Sequence, residues 1–270
     1  MTKILFQNDD FGLTDSTAAG IEKAIKQGIT RNTGLFVNMP SSALAASKIK
    51  EMPQACFGID FNIVAGKPVS EPKLIPDLVD ENGYFLKSGV QIAKLKNKAT
   101  DFRNWKFDED PYPIDQVRTE FTAQLNKFIE LVGHKPEYLH PHSLMTGNTI
   151  QVIRELSKEY DIPYSQDIAQ ELNLFQIPCD WTPRPFPIEK QLETNVEEHL
   201  LQVLPQTLEH EVSIFVCHAG MVEEDLFEHS TYTIIRIKDL AAMTSPKIQK
   251  WLKDNNVELI TYRDLKEMKK

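Results

Sequence analysis

Four short segments of this chain carry side chains whose types and spacing can do chemistry. In Asn8-Asp9-Asp10-Phe11-Gly12, two adjacent carboxylates follow the apolar run Ile4-Leu5-Phe6. Burying such a pair without compensation is costly. A cation that takes one carboxylate leaves the other as a general base, whereas a solvated turn with one Asp capping a helix explains the pair with no chemistry at all. In Phe57-Gly58-Ile59-Asp60-Phe61-Asn62-Ile63, alternation places Asp60 and Asn62 on one strand face, opposite the apolar residues. Asp60 then needs a partner, either a metal ion or a Lys or Arg from a neighbouring strand.

The third segment, Tyr138-Leu139-His140-Pro141-His142, puts two imidazoles two residues apart on one face of an extended chain. Such a pair can converge on one cation, while a lone histidine is more often structural. The fourth, Phe215-Val216-Cys217-His218-Ala219-Gly220, ends an apolar strand on an imidazole just before a glycine turn, a position suited to a general acid or base. Cys217 reads as a small buried hydrophobe, since no helix start or basic neighbour is there to lower its pKa. His134, His199, His210 and His229 read as surface residues.

Something must bring these segments together. Strand-like runs recur at Lys3 to Gln7, Gly34 to Asn38, Phe57 to Val64, Tyr138 to His142, Val212 to Cys217 and Val257 to Tyr262. Between them, Ile114, Val117, Phe121, Leu125 and Phe128 recur at three- and four-residue steps, as do Ile150, Ile153 and Leu156, the mark of helices with one buried face. Asp115 is expected to cap the first of these helices and Gly133 to end it, and Ser245-Pro246 to open the last helix. Strands alternating with helices indicate a parallel sheet. Because each polar motif lies in or just after a strand, the expected architecture is an α/β fold of the (β/α) barrel kind rather than an open doubly wound sheet, with fewer than eight strands or incomplete closure as allowed variants and the polar strand ends gathered at one mouth. No linker or repeat divides the chain, so 1–270 is expected to be a single domain. The irregular stretches from Ala65 to about Pro113 and from Gln176 to Pro187 are candidate binding loops.

The formal net charge of −9 repels polyanions, which argues against nucleic acid as a partner. Three cysteines without close spacing argue against a disulfide framework and fit a reducing cytoplasm. No signal peptide and no apolar stretch near the roughly 20 residues of a membrane span is expected.

Read together, the four motifs resemble those of the YdjC-like carbohydrate deacetylases: a strand ending in Asn-Ala-Asp-Asp-Phe-Gly, then Gly-x-His-x-Asn-Leu, His-Leu-Asp-x-His and Cys-His-Pro-Gly, in the same order. The resemblance covers nearly the whole chain and extends to Gly66-Lys67-Pro68, Leu78 to Phe85 and Leu240 to Arg263. It implies hydrolysis of the acetamide of an N-acetylated sugar, aided by one divalent metal ion held by an aspartate and two histidines; the mixture of imidazoles and carboxylates in this chain points to zinc or magnesium. By position, Asp10 and His142 are implied ligands, Asp9 the base for the metal-bound water and His218 the acid for the departing amine.

Two positions depart from that pattern in opposite senses, since Asp60 stands where the family has histidine and His140 where it has aspartate. The expectation is therefore a cation shared by Asp10, Asp60 and His142, with His140 beside Asp60 as a ligand or as a donor orienting it. Asn62, Arg184 and Trp181 are candidate substrate contacts. The prolines around Trp181-Thr182-Pro183-Arg184-Pro185 stiffen a loop from which Trp181 could stack on a sugar face, though a surface ion pair accounts for Arg184 somewhat better than a substrate contact does. The expected partner is a small carbohydrate, and the sequence is compatible with a homo-oligomer. A metal-dependent hydrolase of phosphorylated or glycosidic sugars and a catalytically silent sugar-binding relative are the competing functions.

Overall fold

The computed structural model describes residues 1–96, 98–101, 106–179 and 186–269. Trp181 and Arg184 lie outside them. The chain opens with β1 (Lys3–Phe11), α1 (Asp15–Gln27), β2 (Asn32–Leu35), α2 (Ser42–Lys48) and β3 (Cys56–Phe61). The first long irregular stretch contains α3 (Ser88–Lys96) and the small antiparallel pair β4 (Ala99–Asp101) and β5 (Lys106–Phe107). Then come α4 (Ile114–Val132), β6 (Leu139–Pro141), α5 (Gly147–Tyr160), α6 (Ser165–Glu171) and β7 (Phe175–Gln176). The last part comprises α7 (Ile188–Glu193), α8 (Val196–Val203), β8 (Val212–Cys217), α9 (Leu226–His229), α10 (Ile235–Met243), α11 (Pro246–Asp254), β9 (Glu258–Leu259) and α12 (Tyr262–Met268).

Among the described residues the main sheet is parallel throughout and seven-stranded, in the order β6-β3-β2-β1-β8-β7, with β9 added to β1. Parallel neighbours require crossovers, and the helices supply them while covering the outer face. The sheet curls into a half-barrel whose two edges, β6 and β7, do not pair, so of the forms the sequence allowed the incompletely closed barrel is the one present. Residues 163–165 run beside β6, where Leu139 donates to the Pro163 carbonyl (2.9 Å), and α6 starts there and lies along the seam.

Alternation along the strands sorts side chains onto two faces. Outward, Phe57, Ile59 and Phe61 of β3 join Val117, Phe121, Leu125 and Phe128 of α4 in one apolar cluster. Ile4, Phe6, Phe215 and Cys217 join residues of α8, α10 and α11 in another. Inward, Leu5, Cys56, Tyr138, Val212 and Ile214 plug the lower barrel together with Tyr262 and Leu265 of α12. Polar residues occupy the layers above that plug. Cys217 is buried, as expected, and burial pushes its thiol well up.

The helix punctuation holds with one difference. Gly133 ends α4 in a left-handed conformation, and Ser245 caps α11 with Pro246 in its first turn. Pro113 rather than Asp115 occupies the cap of α4; Asp115 lies in the first turn, where a negative charge meets the helix dipole. β7 and the β4–β5 pair were not anticipated, being too short to show a period.

Candidate active site

β1 brings two consecutive carboxylates into the barrel, which a regular strand cannot do. Its pairing with β2 advances three residues, Asn8 to Phe11, against two on the partner, Thr33 to Leu35, and Asp10 sits at φ 74°. This bulge, with a non-glycine residue in the left-handed region, is a strained arrangement of the kind that concentrates at functional sites. It directs Asp9 toward β6 at His140 and Asp10 toward His142 and α10. The shortest approaches are 3.3 Å from Asp9 Oδ2 to His140 Nε2 and 3.0 Å from Asp10 Oδ1 to His142 Nδ1.

Asp60 and His140 face each other directly across the β3–β6 pair. The exchanged positions are therefore neighbours, as the sequence suggested. Asp60 is 1% exposed. Its Oδ2 accepts the Asp10 amide at 2.9 Å, while its Oδ1 has no hydrogen-bond partner. Gly34 on β2 makes the room: a Cβ there would lie 1.7 Å from Asp60 Oδ1.

Two groups result. In the first, Asp9, Asp60 and His140 each offer a ligand atom within 4.8 Å of the others. Burial, reinforced by the charges of Asp9 and Asp10, pushes the Asp60 carboxyl up to about 7. Burial also disfavours charge on Asp9 and His140, but their mutual attraction wins; Asp9 is held below its ordinary range, and His140 rises to about 9. In the second group, Arg236 NH2 of α10 lies 2.6 Å from Asp10 Oδ2, both residues being buried. Against the cost of burial, Arg236 and His142 hold Asp10 well below the usual carboxylate range, and Asp10 in turn raises His142.

His218 follows β8. Its backbone N–H donates to Asp239 Oδ2 (3.0 Å), and its ring packs against Tyr232 with centroids 5.1 Å apart. Burial lowers its pKa against the opposing pull of Asp10 and Asp9. The loop after it lies directly on α1 because residue 20 is glycine; a Cβ there would come 2.4 Å from the Met221 nitrogen.

The expected cation-binding trio of Asp10, Asp60 and His142 is thus not the set gathered into one ligand group. Arg236 claims Asp10, and the group forms from Asp9, Asp60 and His140. Asn62 is also placed differently from expectation. It is fully buried, its Oδ1 accepts from the Val64 and Ala65 amides, and its Nδ2 donates to Asn38 Oδ1 and the Ala65 carbonyl. With every hydrogen-bonding position used on the loop after β3, it organises that loop and has none left for a substrate.

Several site residues escaped the sequence reading. Arg236 and Asp239 lie one turn apart on α10 and enter the site from a helix, not a strand end. A signal was present: Arg236 interrupts the apolar run Ile234-Ile235-Arg236-Ile237. Gln7 Nε2 donates to Asp9 Oδ1 (2.6 Å), Tyr262 OH donates to Gln7 Oε1 (2.5 Å), and Ser165 Oγ contacts His140 Nδ1 (2.7 Å). Nothing local in the sequence distinguishes these three.

Residues 3–254 match the YdjC-like protein family. The chain belongs to that family. Among curated relatives, a carbohydrate deacetylase of Thermoanaerobacter pseudethanolicus is 28% identical over 98% of this chain and all of its own, and one of Clostridium beijerinckii is 26% identical over 97% of this chain and all of its own. Among solved structures, an Enterococcus faecalis protein described as a cellobiose-phosphate cleavage protein superposes with a TM-score of 0.76 at 22% identity, covering 98% of both chains. A family 4 acetyl xylan esterase from Clostridium thermocellum, in complex with a cobalt ion, has a TM-score of 0.51 at 12% identity, covering 98% of this chain and 91% of its own. These structural likenesses establish the YdjC-like fold as an incompletely closed (β/α) barrel. No described helix is long and apolar enough to cross a membrane.

The donor set suits a divalent cation. Two carboxylates and one imidazole are compatible with zinc or magnesium. A buried carboxylate oxygen without a partner, in a group with more negative than positive charge, is what a bound cation would satisfy.

Proposed function

We propose that this YdjC-like protein is a carbohydrate deacetylase that holds one divalent ion, magnesium or zinc, between Asp9, Asp60 and His140, and that residues 1–270 act as one domain on a small N-acetylated sugar. The observation that carries this reading is the approach of the three ligand atoms to within 4.8 Å of one another around the unpartnered Asp60 Oδ1. A bound divalent ion would polarise the acetyl carbonyl and acidify a coordinated water. The chain's own residues handle the protons. His218, held below its ordinary range by burial, is unprotonated near neutrality and accepts a proton from water. His142, held up by Asp10, keeps Nδ1–H toward the Asp10 carboxylate and presents a proton on Nε2 to the departing amine. Arg236 keeps Asp10 ionised for that purpose. The water oxygen ends on the acetyl carbon, the C–N bond breaks, and acetate and a free amino sugar leave.

A second reading retains the family's pattern, with Asp10, Asp60 and His142 about the ion, Asp9 as base and His218 as acid. It is favoured by Asp10 Oδ1, which has no partner beyond the His142 ring at 3.0 Å, and by the direct Asp10–Asp60 contact. Calorimetric titration with zinc and magnesium, paired with acetate release from N-acetylglucosamine and its β-linked disaccharides with and without a 6-phosphate, separates the two. Under the first reading Asp9→Asn and Asp60→Asn each weaken metal binding by at least about 100-fold, whereas under the second Asp9→Asn binds metal normally and loses turnover. Metal binding with no acetate released from any substrate would replace both with a sugar-binding relative.

A further inference from the structure

The unpaired edges of the half-barrel leave a cavity of about 470 Å³ in the seam between β6 and β7. Its volume lies in the range of small-molecule sites. Among the described residues none that lines it is Asp, Glu, Lys or Arg, in a chain that is 26% charged. Carboxamides stand there instead: Gln7 at the inner end, and Gln166, Gln170, Asn173 and Gln176 toward the rim. The side-chain amides of Gln170, Asn173 and Gln176 make no hydrogen bond to the described protein. One wall is apolar, formed by Leu174, Ile214 and Val216.

We propose that this seam is a second binding site, distinct from the barrel mouth, for a neutral saccharide. Gln170, Asn173 and Gln176 each offer both donors and an acceptor, as hydroxyl groups require, while Gln7 and Gln166 are engaged within the protein; the apolar wall suits the C–H face of a sugar ring. The one cationic lining group, His140 at the inner end, is already engaged by Asp9, and with no lysine or arginine in the lining a phosphate taken from water into this cavity meets no unpaired positive charge, which selects against phosphorylated sugars. The inner end of the cavity is formed by His140 and Gln7, whose opposite sides hold Asp9 at 3.3 Å and 2.6 Å. Sugar in the seam therefore touches the outer edge of the Asp9–Asp60–His140 group, and sugar and cation binding are linked, each changing the other's affinity by the same factor. This inference concerns binding and stands apart from whether the mouth releases acetate.

The test is titration of the full chain, metal-free and metal-loaded, with β-linked N-acetylglucosamine disaccharide, its 6-phosphate and glycerol, followed through the side-chain amide resonances of Asn and Gln. Saturable shifts at Gln170, Asn173 and Gln176 are expected with the neutral disaccharide, at least tenfold weaker binding with the phosphate, and none with glycerol. Gln170→Trp and Gln176→Trp, at two exposed positions on separate elements, should each reduce seam affinity at least tenfold while leaving zinc affinity in the absence of sugar unchanged. Shifts confined to the mouth, equal response to glycerol, or sugar affinity unchanged in both variants would overturn the proposal. Because these arms need no turnover, an inactive protein that still binds sugar in the seam would count against the deacetylase reading alone.

Discussion

Two groups of nearly identical chemistry sit side by side in this barrel and are compensated in opposite ways. Asp10 and His142 are accompanied by Arg236, a built-in cation, so the Asp10 charge has its counter-charge within the chain, although Asp10 Oδ1 and Arg236 Nη1 are left without a hydrogen bond. Asp9, Asp60 and His140 have no arginine or lysine within ion-pairing distance among the described residues, and one Asp60 oxygen is left with nothing. A buried carboxylate needs a positive neighbour, and whether that neighbour belongs to the chain or comes from solution decides if the place is structural or receptive. Adjacent residues on one strand, Asp9 and Asp10, fall on opposite sides of that division.

The comparison breaks most readily at Arg236. Replacing Arg236 with Met leaves Asp10 buried without its strongest partner, and the expected loss of folding stability is about 3 to 5 kcal/mol, measured by urea unfolding of the metal-free protein. A loss below about 1 kcal/mol would mean that Asp10 is compensated elsewhere and that the two groups are not opposites.

A smaller effect is expected one turn along α10. Burial raises the Asp239 carboxyl to about 6. Its folded value lies above its unfolded one, so the stability it contributes is complete below the unfolded value and disappears as pH rises through 6. Asp239→Asn should keep the hydrogen bonds from His218 N–H and Tyr232 OH, since an amide oxygen can accept both. The variant should therefore lack about 3 kcal/mol of the wild-type decline in stability between pH 4 and pH 7. Identical pH profiles would show that Asp239 is already ionised and paired.

The smallest effect sharpens the comparison from the other side. Gly34→Ala pushes a methyl group into the Asp60 carboxylate and should cost about 1 to 3 kcal/mol and most of the cation affinity. In an Asp60→Ala background the same change should cost far less, a non-additivity that thermal unfolding of the four proteins would reveal. Equal cost in both backgrounds would place the clash on the backbone instead.

The sequence made the strand ends legible because each polar motif interrupts an apolar run at strand spacing. Asp60 and His140 could even be matched as neighbours before any coordinates, since their departures from the family pattern are opposite and both lie on inward faces. What it could not convey was the bulge at Asp10, because a left-handed aspartate leaves no compositional mark. Strict alternation would send Asp9 and Asp10 to opposite faces, and only the bulge shows which of them meets which histidine. Arg236 and Asp239 are hidden for a different reason: they belong to a helix, and although Arg236 interrupts an apolar run, the run does not show which strand end that helix faces. β7 is two residues long, too short for any periodicity, although it forms one edge of the seam.

The placement of β1 at the centre of the sheet also has a consequence for how the protein forms. β1 pairs early in the chain only with β2; its other edge waits for β8, and the first residues of the β2-side edge wait for β9. Contacts this distant in sequence close slowly, because the intervening chain must be ordered first. During synthesis the strand that bears Asp9 and Asp10 therefore emerges well before β8 and β9 and is completed only with them, with one backbone edge open to other chains for most of that interval.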